Sequence, residues 1–381
     1  MNFRSYEIKD ICKIKSGKRL PKGTDFSEKP TKYKYIRARD IKNGKIDGSD
    51  LGYISEEIHK KIAHYIVNTN DIIITIAGTI GEVALVSKKF DGVNLTENAV
   101  RLTEFSKDVC PEFLAYILKS PERKEYMEQV AGGSAQPKLG IYKIEAIKVD
   151  LPDTQIQHKI ADILSAYDDL IENNEKQITL LEEAAQRLYK EWFVDLRFPG
   201  HENTKIVDGV PEGWSRGLLK ELISVNYGKD HKKAPDDGNI PVYGSGGLMR
   251  KCNKSLFSGE AVLIPRKGSL NNIMYVDETF WTVDTMFYAT MKQPHTAVFV
   301  YFFVKAFDMY SMNIGAAVPS MTTKILDAMD VVIPDKETLE KFDKCAKTYF
   351  NKIKTLQGQN ERLKTARNLL LPKLMSGEVE V

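Results

Sequence analysis

The most regular pattern of apolar and polar positions lies near the middle of the chain, from Lys159 to Phe193, in a stretch without glycine or proline. Apolar or small residues recur there at alternating intervals of four and three, with one asparagine in the series. A spacing of about 3.5 residues is typical of the narrow seam of a coiled-coil helix. The seam positions are Ile160, Leu164, Tyr167, Ile171, Asn174, Ile178, Leu181, Ala185, Leu188 and Trp192.

The same frame returns near the end of the chain, 182 residues later, with Arg367 as a charged exception. Two helices with narrow apolar seams are expected to pair, and they run antiparallel if an approximate twofold axis relates the two halves. Asn174 and Asn360 could then bond across the seam and set its register, or each could meet solvent or backbone instead. The later positions are Phe342, Ala346, Tyr349, Ile353, Leu356, Asn360, Leu363, Arg367, Leu370 and Leu374.

The rest of the chain is also repeated. Each half has short β-type runs broken by glycine, asparagine and aspartate, then a helical stretch, a loop with a central proline, a short β run and a long helix. This order predicts an α+β fold built twice. Four segments match in the same order: IKDICKIKSGK (8–18) with LKELISVNYGK (219–229), DIIITIAGTIG (71–81) with EAVLIPRKGSL (260–270), GSAQPKL (133–139) with GAAVPSM (315–321), and VDLPD (149–153) with VVIPD (331–335).

Charge is unevenly distributed, although the formal net charge is only +3. The first 45 residues hold 14 basic and 5 acidic side chains, whereas residues 151–200 hold 5 basic and 10 acidic ones. A basic region of this density is suited to phosphate. A solvated lysine-rich surface would give the same pattern.

Several other classes of protein are disfavoured. Cys12, Cys110, Cys252 and Cys345 lie far apart without a CxxC pair, which indicates reduced thiols, and the six histidines form no metal-binding pattern. We expect no membrane span and no secretory signal, hence a cytoplasmic protein. The sequence lacks a GxxxxGK[ST] phosphate loop, a GxSxG nucleophile motif and the paired prolines of an adenine methyltransferase motif, so we expect no catalysis and no cofactor in this chain.

The chain resembles the specificity subunits of type I restriction-modification systems. The likeness is strongest in LPDTQIQHKIADILSAYDDLIENNEKQITLLEEAAQRLYKEWFVDLRFPG (151–200), in VPEGW (210–214) and in LLLPKLMSGEVEV (369–381). The family usually carries a Glu-Gln pair at the start of each spacer helix. Here Ile156-Gln157 keeps the glutamine and Thr338-Leu339 keeps neither residue, which leaves the contacts at the helix starts open.

The resemblance implies a non-catalytic subunit that recognises a bipartite, asymmetric DNA target in host defence. It also implies docking of two methyltransferase subunits, which methylate adenine with S-adenosylmethionine, and of restriction or translocase subunits, which use ATP and Mg²⁺. A protein–protein scaffold with duplicated docking domains and no direct DNA reading is the alternative.

Candidate DNA contacts lie in loops and strand ends that carry the side chains commonly used on phosphates and base edges. In the first half, Arg37 and Arg39 are predicted on one face of a strand, because strand side chains alternate. The candidates there are Lys15, Ser16, Lys18, Arg19, Arg37, Arg39, Thr79, Gln136 and Lys138. Those in the second half are Lys229, Lys232, Lys233, Tyr243, Ser245, Arg266, Lys267 and Ser269.

We therefore expect two globular recognition domains, related by an approximate twofold axis and joined by an antiparallel coiled coil. The expected boundaries are residues 1–151 for the first recognition domain, 152–198 for the central spacer helix, 199–334 for the second recognition domain and 335–381 for the C-terminal spacer helix.

Overall fold

The computed structural model describes residues 3–132, 137–312 and 320–381. The chain divides into two units, which are described separately. Unit 1 contains Met1–Ile171 and Glu361–Val381, and unit 2 contains Glu172–Asn360.

Unit 1 combines short strands with short helices before a long helix begins. Its main sheet has the order β2-β10-β7-β8 and is antiparallel, and a second sheet has the order β6-β3-β9. Strand β1 pairs with β11, and β4 with β5. The elements are β1 (Arg4–Glu7), α1 (Ile8–Ile11), β2 (Lys13–Ser16), β3 (Tyr33–Ile36), β4 (Ile41–Lys42), β5 (Lys45–Ile46), β6 (Gly52–Ile54), α2 (Glu56–Lys61), β7 (Ile72–Thr75), β8 (Val83–Leu85), β9 (Asn94–Leu95), β10 (Ala99–Thr103), α3 (Pro111–Leu118), α4 (Pro121–Val130), α5 (Ile141–Glu145), β11 (Lys148–Leu151) and α6 (Thr154–Tyr189).

Strand β7 shows why the main sheet of unit 1 is covered on both sides. Its residues Ile72, Ile73 and Ile74 are all fully buried. Side chains alternate across a strand, so Ile72 and Ile74 join one apolar cluster with helix α3, whereas Ile73 joins another. A continuous apolar run of this kind is typical of a strand buried on both faces.

Unit 2 continues from α6 through a π-helical turn at Lys190–Val194. Its large sheet has the order β15-β20-β18-β19-β16-β17, with β16 parallel to β19. Strand β12 pairs with β13, and β14 with β21. The elements are β12 (Ile206–Val207), β13 (Val210–Pro211), β14 (Ser215–Leu218), β15 (Ile223–Tyr227), β16 (Ile240–Gly244), β17 (Gly247–Cys252), β18 (Phe257–Pro265), β19 (Met274–Thr282), β20 (Met286–Met291), α7 (Ala297–Lys305), α8 (Thr323–Asp327), β21 (Asp330–Ile333) and α9 (Lys336–Ser376).

Strand β18 has the same role in unit 2 that β7 has in unit 1. Val262 and Ile264 pack in a cluster with α7, while Ala261 and Leu263 pack in a separate cluster on the other face. Pairing order is repeated as well, because β2-β10-β7-β8 in unit 1 corresponds to β15-β20-β18-β19 in unit 2. The predicted α+β fold, built twice, is therefore confirmed.

The long helices pair antiparallel inside unit 2. Asn174 of α6 donates a hydrogen bond from Nδ2 to Oδ1 of Asn360 in α9, at 2.8 Å. Eighteen residues later, Trp192 packs on Phe342, which lies eighteen residues before Asn360, with ring centroids 5.8 Å apart. Opposite progress along the two chains requires antiparallel helices. The seam residues Ile353 and Leu356 are buried, and Ile178, Leu181, Leu188 and Tyr349 are half-buried.

Inside unit 1, the beginning of α6 packs against the end of α9. Ile160, Leu164 and Leu374 are buried in one cluster, and Leu370 packs against it. Arg367, the charged exception in the seam, forms an ion pair with Asp168. This ion pair explains why a charged residue can occupy a seam position. Ile171 is also buried, and Tyr167 and Leu363 are half-buried.

The two long helices begin with different contacts. The buried Gln157 side chain of α6 accepts a hydrogen bond from the Cys110 backbone N–H at 2.9 Å and donates to the carbonyl oxygens of Asp108 and Pro152, each at 2.8 Å. Before α9, Asp335 instead accepts from the Thr338 backbone N–H and from Trp214 Nε1, each at 2.9 Å. The residue that stands 182 positions after Gln157 is the buried Leu339, and Asp335 caps the start of α9.

Candidate nucleic-acid interface

In unit 1, the candidate loops meet at the end of the sheet where β2 and β7 finish. The segment Leu95–Asn98, between β9 and β10, joins them. Its carbonyl groups accept from Lys18 N at 2.8 Å and from Ile76 N at 2.8 Å, while Thr96 N donates to the Ile36 carbonyl at 3.0 Å. We call residues 15–19, 36–39, 76–80, 95–98 and 137–139 the loop end of unit 1.

Lys138 and Thr79 belong to this loop end. Leu139 N donates to the Ile76 carbonyl at 2.9 Å, and Lys138 forms a β-bridge with Ala77. The Thr79 side chain is exposed and lies 3.5 Å from the Ala38 carbonyl oxygen. Gln136 lies outside the described residues.

The basic side chains of unit 1 differ in how freely they can meet phosphate. Lys15 and Lys13 both pair with Glu104, and their hydrogen bonds lower the pKa of that carboxyl to about 2. Arg19 pairs with Glu97 at 2.6 Å. Lys18 is exposed, with its ammonium 5.6 Å from the Tyr65 ring centre, and Ser16 is exposed beside it. These residues are accessible, although some would exchange a carboxylate partner for DNA.

The predicted strand placement of Arg37 and Arg39 is wrong. Strand β3 ends at Ile36, Arg37 caps a 3₁₀ turn at Ala38–Asp40, and Arg39 lies inside the turn. The Arg37 guanidinium donates to both oxygens of Asp40 at 2.9 Å, and its side chain is only 18% exposed. It stabilises the turn, whereas Arg39 remains exposed and lies 3.4 Å from Asp50. The strand ends at Ile36 because the buried Asp40 forms a turn with Arg37, and this turn outweighs the β-type run before it.

Unit 2 brings its candidates together in the same way, through the segment Thr282–Thr285. Lys229 N donates to the Thr282 carbonyl at 3.0 Å, Arg266 N donates to the Thr285 carbonyl at 2.8 Å, and Val283 N donates to the Tyr243 carbonyl at 3.0 Å. We call residues 227–233, 243–249, 266–269, 282–285 and 320–321 the loop end of unit 2.

Ser245, Lys267 and Ser269 lie in neighbouring loops of this loop end. The Ser245 carbonyl accepts from Asn272 Nδ2 at 2.8 Å, and a Cβ placed on Gly268 would lie 2.6 Å from Ser245 Oγ. Lys267 forms a β-bridge with Ser320, and the side chains of Lys267 and Ser269 are exposed.

Two further candidates have side chains that are already engaged. Tyr243 is half-buried, and its hydroxyl donates to Glu278 at 2.5 Å; burial, together with this carboxylate, raises the pKa of Tyr243. The half-buried Arg266 guanidinium packs on two aromatic rings and donates to the Asp284 carbonyl at 3.2 Å. Both side chains therefore stabilise the loop end through these contacts, although each is also partly exposed.

Exposed Lys232 and Lys233 lie on a 3₁₀ turn at His231–Lys233. This turn is attached to the edge strand β17 by a residue that is not among the candidates selected from the sequence. That residue is Arg250, which donates to the carbonyls of His231 at 2.5 Å and Ala234 at 2.7 Å and also pairs with Asp236. Sequence reasoning missed it because its partners are backbone carbonyls, which leave no residue-type signal.

Sequence reasoning also missed the two joining segments, Leu95–Asn98 and Thr282–Thr285. Glu97, Asp284 and their neighbours are acidic or neutral, so a pattern of basic loop residues does not indicate them. The two glycines that contact these segments were a usable signal. A Cβ on Gly17 would lie 1.9 Å from the Thr96 carbonyl oxygen, and one on Gly228 would lie 2.0 Å from that of Val283. Both glycines stand at matched positions of the repeat.

Within residues 3–132, 137–312 and 320–381, no group of histidine, cysteine and carboxylate side chains could hold a metal ion. The same part of the chain has no helix that is long and apolar enough to cross a bilayer.

Comparison with known proteins agrees with this architecture. The specificity subunit of the type I restriction enzyme MjaIX from Methanocaldococcus jannaschii is 26% identical over 421 residues, covering 98% of this chain and 94% of that protein. The HindI specificity subunit from Haemophilus influenzae is 22% identical over 476 residues, covering 99% of this chain and all of that protein. A crystal structure of a type I restriction-modification S subunit from M. genitalium has a similar fold, with a TM-score of 0.63 at 19% identity over 98% of this chain and 96% of that one.

A family model supplies the assignment. The model for the type I restriction modification DNA specificity domain matches residues 2–183 and 211–365, one match for each copy of the repeat. The chain therefore belongs to the type I restriction-modification specificity family, whose role is DNA recognition.

Proposed function

We propose that this chain recognises a bipartite, asymmetric DNA target, with each loop end contacting one half-site. The observation that carries the proposal is the convergence of separate loops at one end of each sheet, around Leu95–Asn98 in unit 1 and Thr282–Thr285 in unit 2. Loops held on a rigid sheet present side chains in a defined geometry, which base-edge recognition requires.

The difference between the loop ends supports two unlike half-sites. Exposed cations such as Lys18, Arg19 and Arg39 are abundant in unit 1. The loop end of unit 2 also has exposed lysines, but it adds exposed apolar and aromatic side chains, namely Tyr227, Leu248 and Met249. Equivalent backbone positions therefore carry different chemistry, so the two half-sites should differ in sequence.

We further propose that the segments 152–198 and 335–381 act as spacers between recognition domains at 1–151 and 199–334. Helices α6 and α9 support this role because their seam residues are buried or half-buried and include the Asn174–Asn360 bond. Two methyltransferase subunits would use S-adenosylmethionine to methylate adenine, and restriction subunits would use ATP and Mg²⁺. The chain itself would remain non-catalytic and act in the cytoplasm.

The test is methylation mapping in cells that express this chain with its methyltransferase subunits. Wild type should methylate adenines at one bipartite sequence. Lys18→Ala/Arg19→Ala should weaken or relax one half-site, and Lys229→Ala/Lys233→Ala the other. Lys60→Ala/Lys61→Ala, which removes two exposed lysines paired with neighbouring glutamates on α2, is the matched control and should change neither.

Salt dependence of DNA binding by the purified complex supplies a second criterion. Each lost phosphate contact should reduce the slope of log affinity against log salt by about 0.9. A complex that forms with the methyltransferase subunits but has no salt-dependent DNA affinity would favour the protein–protein scaffold. Equal loss at both half-sites in either cluster variant would contradict the assignment of one half-site to each unit.

A further inference from the structure

Tyr227 is an exposed aromatic side chain held in place at the loop end of unit 2. It is the last residue of β15 and is 54% exposed. Its ring meets Phe287, its partner across the sheet, edge to face with centroids 5.0 Å apart. The Arg266 guanidinium lies 5.4 Å from the centre of the Tyr227 ring. Half of the ring therefore faces outward while the other half is supported.

The backbone beside Tyr227 is equally constrained. Gly228 N donates to the Met286 carbonyl at 3.0 Å, and Lys229 N donates to the Thr282 carbonyl at 3.0 Å. Trp281 Nε1 donates to the Lys229 carbonyl at 3.1 Å. With both the backbone and one face of the ring held, the side chain loses little further freedom when its exposed face is covered.

Arg266 acts on this ring more directly than it can act on DNA. Its guanidinium also lies 5.9 Å from the Phe287 ring centre and donates to the Asp284 carbonyl at 3.2 Å. A cation within about 6 Å of a ring centre is attracted to the ring face. The arrangement makes Arg266 a positioning residue and leaves the exposed part of Tyr227 as the surface available to a ligand.

The matched positions in the described part of unit 1 carry other residues. Ser16 pairs with Val100 as Tyr227 pairs with Phe287. Leu139 N bonds the Ile76 carbonyl as Met321 N bonds the Arg266 carbonyl. Serine and isoleucine therefore stand where unit 2 has tyrosine and arginine, and the two loop ends differ in chemistry at matched positions.

Exposed apolar groups accompany Tyr227 in unit 2. Leu248 and Met249, which lie in β17 just after the turn at Ser245 and Gly246, are 60% and 54% exposed. Apolar side chains have no hydrogen bond to offer a base or a phosphate. In the major groove they match one group, the C5-methyl of thymine.

We propose that Tyr227, supported by Arg266, contacts a thymine methyl group in the half-site recognised by unit 2. This inference rests on the proposed function and names the chemistry that one of its two loop ends recognises. The ring is the contacting group, and the phenolic hydroxyl is dispensable.

The experiment measures DNA binding by the full chain in complex with its methyltransferase subunits, on duplexes carrying the mapped target. Replacing thymine by deoxyuridine, one position at a time, removes only the methyl group. One such replacement in the unit 2 half-site should lower affinity about fourfold, the effect of one buried methyl group. Tyr227→Ala should lower affinity about tenfold and abolish that uracil effect, while Tyr227→Phe should behave like wild type.

A double-mutant cycle tests the role of Arg266. If Arg266 acts through the ring, Arg266→Ala should weaken thymine discrimination, add little to Tyr227→Ala, and be partly rescued by Arg266→Lys. Lys267→Ala, which removes the neighbouring exposed lysine, is the control and should combine additively with Tyr227→Ala. Additive losses for Arg266→Ala would overturn the positioning role.

The outcomes separate this inference from the proposed function. A wild-type complex without sequence-specific binding would reject the proposed function itself. A specific complex whose affinity is unchanged by every deoxyuridine in the unit 2 half-site, or is lost in Tyr227→Phe, would overturn the thymine contact and leave the proposed function standing.

Discussion

The side chains of Asn174 and Asn360 bond to each other in the buried seam of the paired helices, with 2.8 Å between Nδ2 and Oδ1. A buried amide in an apolar seam lowers stability but favours the register in which it finds its partner. Each helix therefore carries one buried asparagine in its seam, and the bond between the two sets their register.

Loss of one partner should be costly. Asn174→Ala leaves the Asn360 amide buried without this bond, so we expect the free energy of unfolding to fall by about 1–3 kcal/mol. Urea denaturation of the full chain measures the change. Asn173→Ala, at the adjacent exposed position, is the control and should stay within about 0.5 kcal/mol of wild type. The double variant Asn174→Leu/Asn360→Leu should recover the loss, and failure to recover it would contradict a penalty from breaking the Asn174–Asn360 bond in the apolar seam.

The ion pair between Arg101 and Asp71 should be important for the stability of unit 1. Nη1 and Oδ2 lie 2.7 Å apart, and the two side chains are 8% and 5% exposed. Arg101→Ala leaves the buried Asp71 carboxylate without its cationic partner and should destabilise the protein by about 3–5 kcal/mol. The exposed pair Lys60–Glu56 offers a comparison, since Lys60→Ala should leave the urea midpoint almost unchanged in the same denaturation assay. Similar costs for the two variants would show that the Arg101 pair is not desolvated.

The glycines at the loop ends should be sensitive to a single added methyl group. Gly228→Ala places a Cβ 2.0 Å from the Val283 carbonyl oxygen, so the joining segment must move and binding to the unit 2 half-site should fall by more than about tenfold. Gly17→Ala should have the same effect on the other half-site, because its Cβ would lie 1.9 Å from the Thr96 carbonyl oxygen.

A third glycine is the control for this pair. Gly246 has open space where a Cβ would be placed, so Gly246→Ala should leave the backbone of the loop end in place and lower affinity far less than Gly228→Ala does. The measurement is affinity of the assembled complex for duplexes altered in one half-site at a time. Wild-type affinity in Gly228→Ala would mean that the joining segment does not position the contacting loops.

Thiol reactivity should separate the cysteines by burial. Cys345 is exposed, whereas Cys12, Cys110 and Cys252 are buried. Burial raises the pKa of the Cys12 thiol to about 12 and that of Cys110 to about 11. At pH 8 an aromatic disulfide reagent should therefore label one thiol rapidly in the folded protein. Cys345→Ser should remove the rapid phase, and a rapid phase that persists would contradict the buried placement of the others.

The same thiols predict a loss of stability at high pH. In the unfolded chain a cysteine loses its proton near pH 9, but the folded state holds the protons of Cys12 and Cys110 to about pH 12 and 11. In that pH range the folded state binds more protons than the unfolded state. The free energy of unfolding should therefore keep its full value below pH 9 and decrease as pH rises above it. Urea midpoints between pH 8 and 11 measure the decrease, and Cys12→Ala should make it shallower.

Particular residues show how far the sequence could be interpreted. The alternation of four and three from Ile160 to Trp192 predicted a long helix with a narrow seam, because helical periodicity depends on neighbours within one or two turns. The runs around Ile72–Ile74 and Ala261–Ile264 predicted strands for a similar local reason. The strand prediction for Arg37 is wrong because Arg37 bonds to Asp40, and the two residues form a turn instead of continuing the strand.

By itself, the sequence determined the duplicated α+β organisation, the two helical seams and their asparagines, because all of these follow from local periodicity and from similarity between the halves. Tertiary structure alone decided which side chains share a loop end, through carbonyl bonds from Leu95–Asn98 and Thr282–Thr285. The tertiary structure also decided that Arg266 packs on the Tyr227 ring and that Arg250 bonds the 3₁₀ turn at His231–Lys233. These contacts join residues that are distant along the chain. They use backbone carbonyls, which every residue has, or ring faces, which all aromatic residues have, so the residue types near each position do not predict them.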